Sequence, residues 1–392
     1  MKRQNIVQYI LIPLSYLLVA VLSAGACCFV LLTRLNTGTG KLQKLEQVIQ
    51  EKFIDEVDTA AIEDAAAEAM VDALGNRWSY YIPADRYADH KASQNNAYLG
   101  IGITISLRED GKGFDILKVE PGSGAEDAGI LAGDILVAVE NEDAASLGAT
   151  GAKQLIQGKE GSLVSVTVER AGEKLTLSVE RKKIRVAVAS GQMLEENIGL
   201  VVINNFNDRC AEETIAIIED LRSQGAEALV FDVRYNPGGY KEELVKVLDY
   251  LLPKGDLFRS LDYTGRERVD TSDDRCLEIP MAVLINGDSY SAAEFFAAAL
   301  SEYEWATLVG QPTTGKSHFQ YTLELGDGSA VNLSVGKYFT PKGVSLADVG
   351  GLKPDIEVPV DEATATAIYA GTLEPSQDPQ IQAAVSTVKT GE

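Results

Sequence analysis

The sequence predicts a multidomain chain of mixed α/β and α+β class, with a β-rich domain ahead of an α/β core. Three patterns indicate this. Residues 6–33 carry no charge, residues 98–179 hold short β-rich segments, and strands alternate with amphipathic helices after Arg185. The predicted domains are a tail with a transmembrane anchor (1–35), a helical region (36–95), the β-rich domain (96–184), and the core with a C-terminal tail (185–392).

The composition disfavours one class of partner and one class of site. The 392 residues carry a formal net charge of −23, from 58 acidic and 35 basic side chains. Binding to nucleic acid requires clustered Lys and Arg, so no nucleic acid is expected as a partner. The four cysteines form no CxxC pair, which argues against a zinc site. A disulfide between Cys210 and Cys276 and two free thiols both stay open.

The uncharged N-terminal run favours a single-pass anchor in the cell membrane. Residues 6–33 exceed the roughly 20 apolar residues that span a bilayer. They also exceed the apolar part of a cleaved signal peptide. Lys2 and Arg3 precede the run, which favours a cytoplasmic N-terminus and an extracytoplasmic remainder. Two alternatives stay open, namely cleavage near residues 24–26 and lipidation of Cys27.

The region after the anchor is predicted to be helical, from residue 41 to residue 74. Apolar side chains recur at helical steps between Leu45 and Ile54, and an Ala-rich run follows them. Residues 75–76, Gly-Asn, form a stop signal. Such helices pack against their own domain or against a partner helix, so a homodimer stays open.

The β-rich domain is predicted to be a compact, partly open barrel with two short helices, residues 125–128 and 150–156. Its predicted strands are residues 100–105, 114–119, 134–139, 163–168 and 175–179.

The core is predicted to hold a mostly parallel sheet covered on both faces, because its strands alternate with helices. Residues 362–392 are weakly helical in pattern. The predicted strands are residues 198–203, 228–232, 281–285 and 307–309, and the predicted helices are residues 212–224, 242–252 and 292–303.

Two turns fall where such a sheet binds ligands, beyond the carboxyl ends of its strands. In DVRYNPGG, residues 232–239, the paired glycines allow close approach and expose N–H groups. In NGDSYSAAEFF, residues 286–296, Ser291 precedes a helix. Helix capping by Ser289 or Ser291 is the commoner role of such serines.

Lys316 follows the next predicted strand, and it is a more plausible base than a histidine. The chain has only two histidines, His90 and His318. GQPTTGKS, residues 310–317, has the spacing of a phosphate-binding loop, but a strand pattern follows it where a helix is required. Nucleotide binding is therefore disfavoured.

Taken in order, these motifs resemble the carboxy-terminal processing proteases, which are Ser/Lys peptidases of family S41 with a PDZ domain set into a crotonase-like core. The resemblance covers residues 45–385. YLGI and GSGAEDAGILAGDILVAV, at residues 98–101 and 122–139, resemble the PDZ domain of bacterial proteases. Tyr290 and Ser317 depart from the family pattern of small residues. The core motifs are DVRYNPGG, SYSAAEFFAAAL, LVGQPTTGKSHFQ, FTPKG and GGLKPD.

The resemblance implies a role for each site residue. Ser291 would be the nucleophile, Lys316 the general base, and Gln320 the residue that orients the lysine. The N–H groups of Gly238 and Ala292 would form the oxyanion hole, which agrees with their expected place at a Gly-Gly turn and a helix start. The PDZ residues Tyr98, Leu99, Gly100 and Ile101 would bind a peptide, with residues 98–100 forming the loop that holds its C-terminal carboxylate.

The expected chemistry is cleavage of extracytoplasmic proteins at or near their C-termini, without metal or cofactor. Lys316 must lose its proton to act, and the helix carrying Phe295 and Phe296 is expected to desolvate it. Partners would be proteins or peptides with exposed C-termini. Two alternatives stay open, a catalytically silent PDZ scaffold at the membrane and a crotonase-type acyl-CoA enzyme.

Overall fold

The computed structural model describes residues 40–108 and 110–390, and the chain divides into two compact units between Tyr81 and Ile82. Across these two described ranges, no helix combines the length and the hydropathy needed to cross a bilayer. The predicted anchor, residues 6–33, lies outside them.

The first unit contains helices α1 (Lys41–Lys52) and α2 (Thr59–Asp72), so the predicted helical region is confirmed but interrupted. The side chain of Asp58 accepts a hydrogen bond from the Ala61 N–H and begins α2. Neither helix has a buried residue. A homodimer through these helices stays a prediction, which sedimentation of the chain from residue 41 onward would test. Strand β1 (Tyr80–Ile82) follows.

The second unit begins with a helix and the β-rich domain. The elements are α3 (Ala84–Gln94), β2 (Ala97–Gly100), β3 (Ile103–Leu107), β4 (Phe114–Val119), α4 (Gly124–Asp127), β5 (Ile135–Val139), β6 (Glu142–Asp143), α5 (Ala144–Ile156), β7 (Leu163–Arg170), β8 (Glu173–Glu180) and β9 (Lys182–Arg185). One sheet has the strand order β3-β4-β5-β7-β8, and β2 pairs separately with β9.

Alternating side chains of this domain form its own core. Phe114, Leu136 and Val166 are fully buried there, as the strand patterns predict. Helix α5 is interrupted at Gly148, which has a φ of 67°, so the predicted helix at residues 150–156 is its second part. A short first part precedes it, capped by Asp143, which accepts a hydrogen bond from the Ser146 N–H at 2.8 Å.

The remainder of the chain forms the core and its C-terminal helices. The elements are β10 (Ala189–Met193), β11 (Ile198–Ile203), α6 (Cys210–Ser223), β12 (Ala228–Asp232), α7 (Lys241–Leu251), β13 (Gly255–Asp262), β14 (Glu267–Ser272), β15 (Met281–Ile285), α8 (Ala292–Glu302), β16 (Ala306–Gly310), β17 (His318–Glu324), β18 (Ala330–Phe339), α9 (Leu346–Val349), β19 (Ile356–Glu357), α10 (Glu362–Tyr369) and α11 (Pro379–Thr390).

The main sheet has the order β10-β11-β12-β15-β16-β19, and only β10 is antiparallel to its neighbour. Helices α6, α7 and α8 cover one face, where Phe231 and Val283 are buried. Helix α11 covers the other face, where Ile381 packs in a cluster with Val230 and Leu284. The predicted mostly parallel, doubly covered sheet is confirmed.

A second, antiparallel sheet with the order β14-β13-β18-β17 was predicted only at β17. Its strands are only partly buried, and β14, with the sequence ERVDTS, is mostly exposed. The sequence pattern did not predict the other strands, because their charged residues on the solvated face interrupt the apolar pattern.

The two cysteines of the core form no disulfide. Cys210 and Cys276 are both free thiols, the first of them buried.

Candidate active site

Three neighbouring parallel strands end at the same edge of the main sheet, and each predicted site turn follows one of them. The turns after β12, β15 and β16 carry Gly238, Ser291 and Lys316. The carboxyl ends of adjacent parallel strands define the ligand-binding edge of an open α/β sheet. The topology therefore brings the three predicted residues to one place.

Ser291 is the N-cap residue of α8, as predicted, and its backbone is strained. Its φ is 58° and its ψ is −127°, a conformation that non-glycine residues seldom adopt. Its N–H donates to Glu294 Oε2 at 2.9 Å. Ser289 has a different role, because its Oγ donates to the Val233 carbonyl at 2.7 Å and accepts from the Asn286 N–H. Of the two serines, Ser289 holds the turn together.

Gly238 lies directly against the start of α8. Its φ is 87°, and a Cβ at this position would fall 2.7 Å from Ser291 Cβ and 2.8 Å from the Ala292 nitrogen. Only glycine fits so close to the helix start. The Gly238 N–H donates to Asn236 Oδ1 at 2.8 Å, so an internal acceptor occupies it. The predicted oxyanion-hole residues are together, but this N–H is turned toward the protein.

Lys316 is half-buried, and its ammonium lies near the aromatic ring of Tyr290. Its Nζ lies 5.7 Å from the centroid of the Tyr290 ring. Phe295 and Phe296, the expected walls, pack into the core against Phe258, Tyr338, Phe206 and Phe231. Residues 292–300 of α8 are all buried, and these two rings belong to the core. Desolvation of Lys316 by this helix stays a prediction.

Glu294 links the serine turn to the lysine turn. Its carboxylate is fully buried and accepts four hydrogen bonds. Oε2 accepts from the N–H groups of Ser291 at 2.9 Å and Lys316 at 2.8 Å. Oε1 accepts from the Thr313 hydroxyl at 2.5 Å and the Gly315 N–H at 2.7 Å. Burial raises the pKa of this carboxyl, and the four donors act in the opposite direction.

Sequence reasoning missed Glu294, although a signal was present. Ser291 and Glu294 have the S-x-x-E spacing of a capping box, in which the acidic side chain accepts from the N–H of the serine. That spacing predicts only the bond within α8. The bonds to the lysine turn depend on the fold.

The lysine turn is also held from its other side. The Thr313 N–H donates to the Leu352 carbonyl at 3.0 Å, and the Leu352 N–H donates to Thr313 Oγ1 at 2.8 Å. Ser317, one of the two departures from the family pattern, is fully buried and accepts from the Ala347 N–H at 2.9 Å. The hydroxyl of this serine therefore fastens the residue after Lys316 to α9.

Gln320 lies on β17, four residues after the lysine. Its Nε2 donates to the His318 carbonyl at 3.0 Å and to Ser334 Oγ at 3.1 Å. Orientation of Lys316 by this amide stays a prediction.

His318, two residues after Lys316, has a lowered pKa. Burial lowers the pKa of His318, and the charges of Lys337 and Lys316 lower it further. This imidazole is therefore neutral near pH 7.

The turn before Gly238 is anchored by an ion-pair cluster that sequence reasoning also missed. The Arg234 guanidinium is buried and contacts Asp232 at 2.6 Å and Asp378 at 2.9 Å. It also donates to Gln380 Oε1 at 2.8 Å. The residue after it, Tyr235, has a φ of 58° and donates to the Ala365 carbonyl. Both side chains fasten the turn to the C-terminal segment.

The predicted carboxylate loop of the β-rich domain needs correction. Residues 98–100 form strand β2 and pair with Ile184, Lys183 and Lys182 of β9, so they are not a loop. The turn comes at Ile101 and Gly102, where Gly102 has a φ of 81°. Edge strand β3 begins immediately afterwards. Pairing with β9 was not visible in the sequence because about 80 residues separate the two strands.

Comparison with known proteins identifies the family. The model of peptidase family S41 matches residues 197–358, and the model of a PDZ domain matches residues 116–170. The carboxy-terminal processing protease CtpA of Bacillus subtilis is 31% identical over 330 residues, which cover 82% of this chain and 70% of that protein. The chain belongs to the carboxy-terminal processing proteases.

A second curated protein and a solved structure are also similar to this chain. Carboxyl-terminal-processing peptidase 2 of Arabidopsis thaliana is 29% identical, over 79% of this chain and 62% of that protein. A solved Bacteroides fragilis structure titled as an S41 protease is 17% identical and covers 88% of this chain and 96% of that chain, with a TM-score of 0.55. This last likeness concerns the fold alone. As a carboxy-terminal processing protease, the chain is a serine peptidase with a PDZ domain.

Proposed function

We propose that this protein is an endopeptidase that cleaves proteins at or near their C-termini, with Ser291 as nucleophile and Lys316 as general base. One observation carries the assignment. A single buried carboxylate oxygen, Glu294 Oε2, accepts from the N–H groups of both residues. The serine turn and the lysine turn are therefore held in fixed register, as a shared catalytic step requires.

Lys316 must be neutral to act as a base. A free lysine has a pKa near 10.4, and base catalysis near neutral pH requires a value of about 7–8. Partial burial of the Lys316 residue supports such a decrease in its pKa. The Tyr290 ring acts in the opposite direction, because an aromatic face attracts a cation. A bound substrate that excludes water from the site would strengthen the effect of burial.

The proposed reaction proceeds in two steps. Neutral Lys316 takes the proton of Ser291 as Oγ attacks the scissile carbonyl, and the resulting ammonium donates that proton to the leaving amine as the C–N bond breaks. Water then attacks the acyl-enzyme, again losing its proton to Lys316, and the serine is released with that proton. The N–H groups of Gly238 and Ala292 would stabilise the developing oxyanion, and for this the Gly238 N–H must exchange its bond to Asn236 Oδ1 for one to the substrate oxygen.

We infer that the PDZ domain captures the C-terminal tail of the substrate. The tail would add as a strand to the exposed edge of β3, and its carboxylate would meet the turn at Ile101 and Gly102. The antiparallel sheet and its free edge support this role. A crotonase-like core is a related inference, supported by the parallel sheet with helices on both faces and testable by comparing its topology with crotonases.

A test of tail capture uses the chain from residue 41 onward and an unstructured protein substrate. We expect blocking the substrate C-terminus as an amide to lower kcat/KM by about tenfold, a loss near 1.4 kcal/mol. The matched control is the same substrate with a free carboxylate, and Ser291→Ala gives the background. Equal cleavage of both substrates would contradict tail capture, and complete inhibition by a chelator would contradict the metal-free mechanism.

We propose further that residues 6–33 anchor the protein in the cell membrane, with the N-terminus in the cytoplasm and the peptidase outside. The uncharged run and the basic residues before it support this orientation. The full chain is expected to stay in the membrane fraction after alkaline carbonate extraction, and protease added to intact spheroplasts should degrade its catalytic part. A mature N-terminus after residue 26 would favour cleavage or lipidation instead.

A further inference from the structure

The two connections of the PDZ domain converge on one loop of the core, residues 204–209. The incoming connection carries Asn96, which is buried and has a φ of 46°. Its Nδ2 donates to the Asp208 carbonyl at 2.8 Å, and its Oδ1 accepts from Asn205 Nδ2 at 2.7 Å. Its own carbonyl accepts from the N–H of Val186, in the outgoing connection. Asn96 therefore joins both connections to this loop.

Arg209, the last residue of the loop, binds the outgoing PDZ connection as well. Its Nη2 donates to the Val186 carbonyl at 2.8 Å, and its Nε donates to Glu213 Oε1 at 2.8 Å. The other oxygen of Glu213 accepts from the Val188 N–H at 2.7 Å. Arg209 has a φ of 71°, an unusual backbone conformation for a residue with a side chain. The outgoing connection is thus fixed to the end of the loop.

The middle of the same loop supports the oxyanion-hole turn. The Phe206 N–H donates to the Gly238 carbonyl at 2.7 Å, and the Tyr240 N–H donates to the Phe206 carbonyl at 2.7 Å. The Phe206 ring is fully buried, 5.6 Å from the ring of Phe296 on α8. The loop can hardly shift without moving Gly238.

The N–H of Gly238 is held as well. It donates to Asn236 Oδ1, while Asn236 Nδ2 donates to the Ile203 carbonyl at 2.7 Å, at the end of the strand that leads into the loop. Gly238 is therefore restrained on its N–H side by Asn236 and on its carbonyl side by Phe206. Both restraints lead back to residues 203–206.

We infer that Asn96 is a positioning residue for the oxyanion hole, acting through the loop at residues 204–209 on Gly238. The inference rests on the proposed function, because it assumes that the Gly238 N–H serves the reaction. It implies that any change in how the PDZ connections sit on the loop alters transition-state stabilisation at Ser291. Asn96 would act through its bonds to this loop and not by contact with the reacting groups.

The test is Asn96→Gly, because glycine adopts a positive φ without strain and only the side-chain bonds are lost. The matched control is Asn141→Gly, a second asparagine with positive φ, at 67°, exposed in the PDZ domain. Two substrates are assayed, p-nitrophenyl acetate and a labelled casein. The ester is too small to occupy the active site and the PDZ domain at once, so its hydrolysis reports on the active site alone. Ser291→Ala gives the background for both.

We expect Asn96→Gly to lower kcat for both substrates by about 10–100-fold, somewhat less than the loss of a whole oxyanion donor. KM for casein should stay within about twofold, and Asn141→Gly should behave as wild type. Asn205→Ala alone should also lower kcat for both substrates, because it removes the bond to Asn96 and a second bond within the loop, from the Asn207 N–H to Asn205 Oδ1 at 2.9 Å. Thermal unfolding shows whether each variant is folded at the assay temperature.

An unchanged kcat in folded Asn96→Gly, with Ser291→Ala inactive, would overturn this inference and leave the proposed function intact. A loss confined to casein would assign Asn96 to tail delivery instead, and would also overturn it. Wild-type turnover in Ser291→Ala would remove the proposed function itself.

Discussion

Turnover of an unstructured protein substrate should fall by about 10⁴-fold or more in Ser291→Ala, and by a similar amount in Lys316→Ala. The reason is that each residue supplies one half of a single proton-transfer and attack step, so the loss of either abolishes it. The double variant should be no worse than either single variant, since residues that act as a unit are not additive. Steady-state cleavage assays measure all three.

Two control variants sharpen this prediction. Lys316→Arg keeps the positive charge but cannot give up its proton, so it should be as inactive as Lys316→Ala. Ser289→Ala removes a hydroxyl that joins Val233 to Asn286, and should cost about 1–3 kcal/mol of stability while keeping most of kcat. If activity were retained in Ser291→Ala and lost in Ser289→Ala, the nucleophile would be Ser289 and the assignment of Ser291 would be wrong.

Glu294→Gln is expected to destabilise the protein by about 2–5 kcal/mol and to abolish most of its activity. The amide has one oxygen where the carboxylate has two, so its NH₂ group would face two donors that then have no acceptor. Urea unfolding and kcat measure the two effects. Glu302→Gln is the matched control on the same helix, because Glu302 accepts a single N–H bond, from Lys342.

The same variant has a predicted pH signature. The pKa of Glu294 is raised above its ordinary value of 4.5, so the folded protein holds this proton to higher pH than the unfolded chain does. Its contribution to stability therefore decreases as pH rises from 4.5 through the raised pKa. Glu294→Gln should remove that slope from a plot of unfolding free energy against pH. A slope unchanged by the substitution would show that Glu294 titrates as an ordinary exposed carboxyl.

The sequence was sufficient for the parts of the fold that rest on local pattern. Residues 228–231 and 281–285 are uninterrupted apolar runs, and both lie in buried parallel strands. Strands with one solvated face, such as β14, were missed because their charged residues resemble a loop. The predicted positions of Ser291 and Gly238 followed from the rule that ligands bind beyond strand ends.

The remainder of the site depends on contacts between distant segments, and no local pattern encodes them. Glu294 meets Gly315 and Lys316 more than 20 residues away, and Arg234 meets Asp378 across 144 positions, as their residue numbers show. The error at residues 98–100 has the same origin, since only the fold pairs them with β9. Burial of a carboxylate or a guanidinium follows from the packing of whole elements.

The ion-pair cluster at Arg234 has a consequence for biosynthesis. Asp378 and Gln380 complete the shell of a guanidinium that sits four residues before Gly238, and Ala365 accepts from the neighbouring Tyr235. A ribosome makes these partners about 130 to 145 residues after the turn itself, as the numbering shows. A nascent chain that already carries Ser291 and Lys316 therefore still lacks the supports of its oxyanion turn. We therefore expect the oxyanion turn to gain its full support only after residues 365–380 have been synthesised.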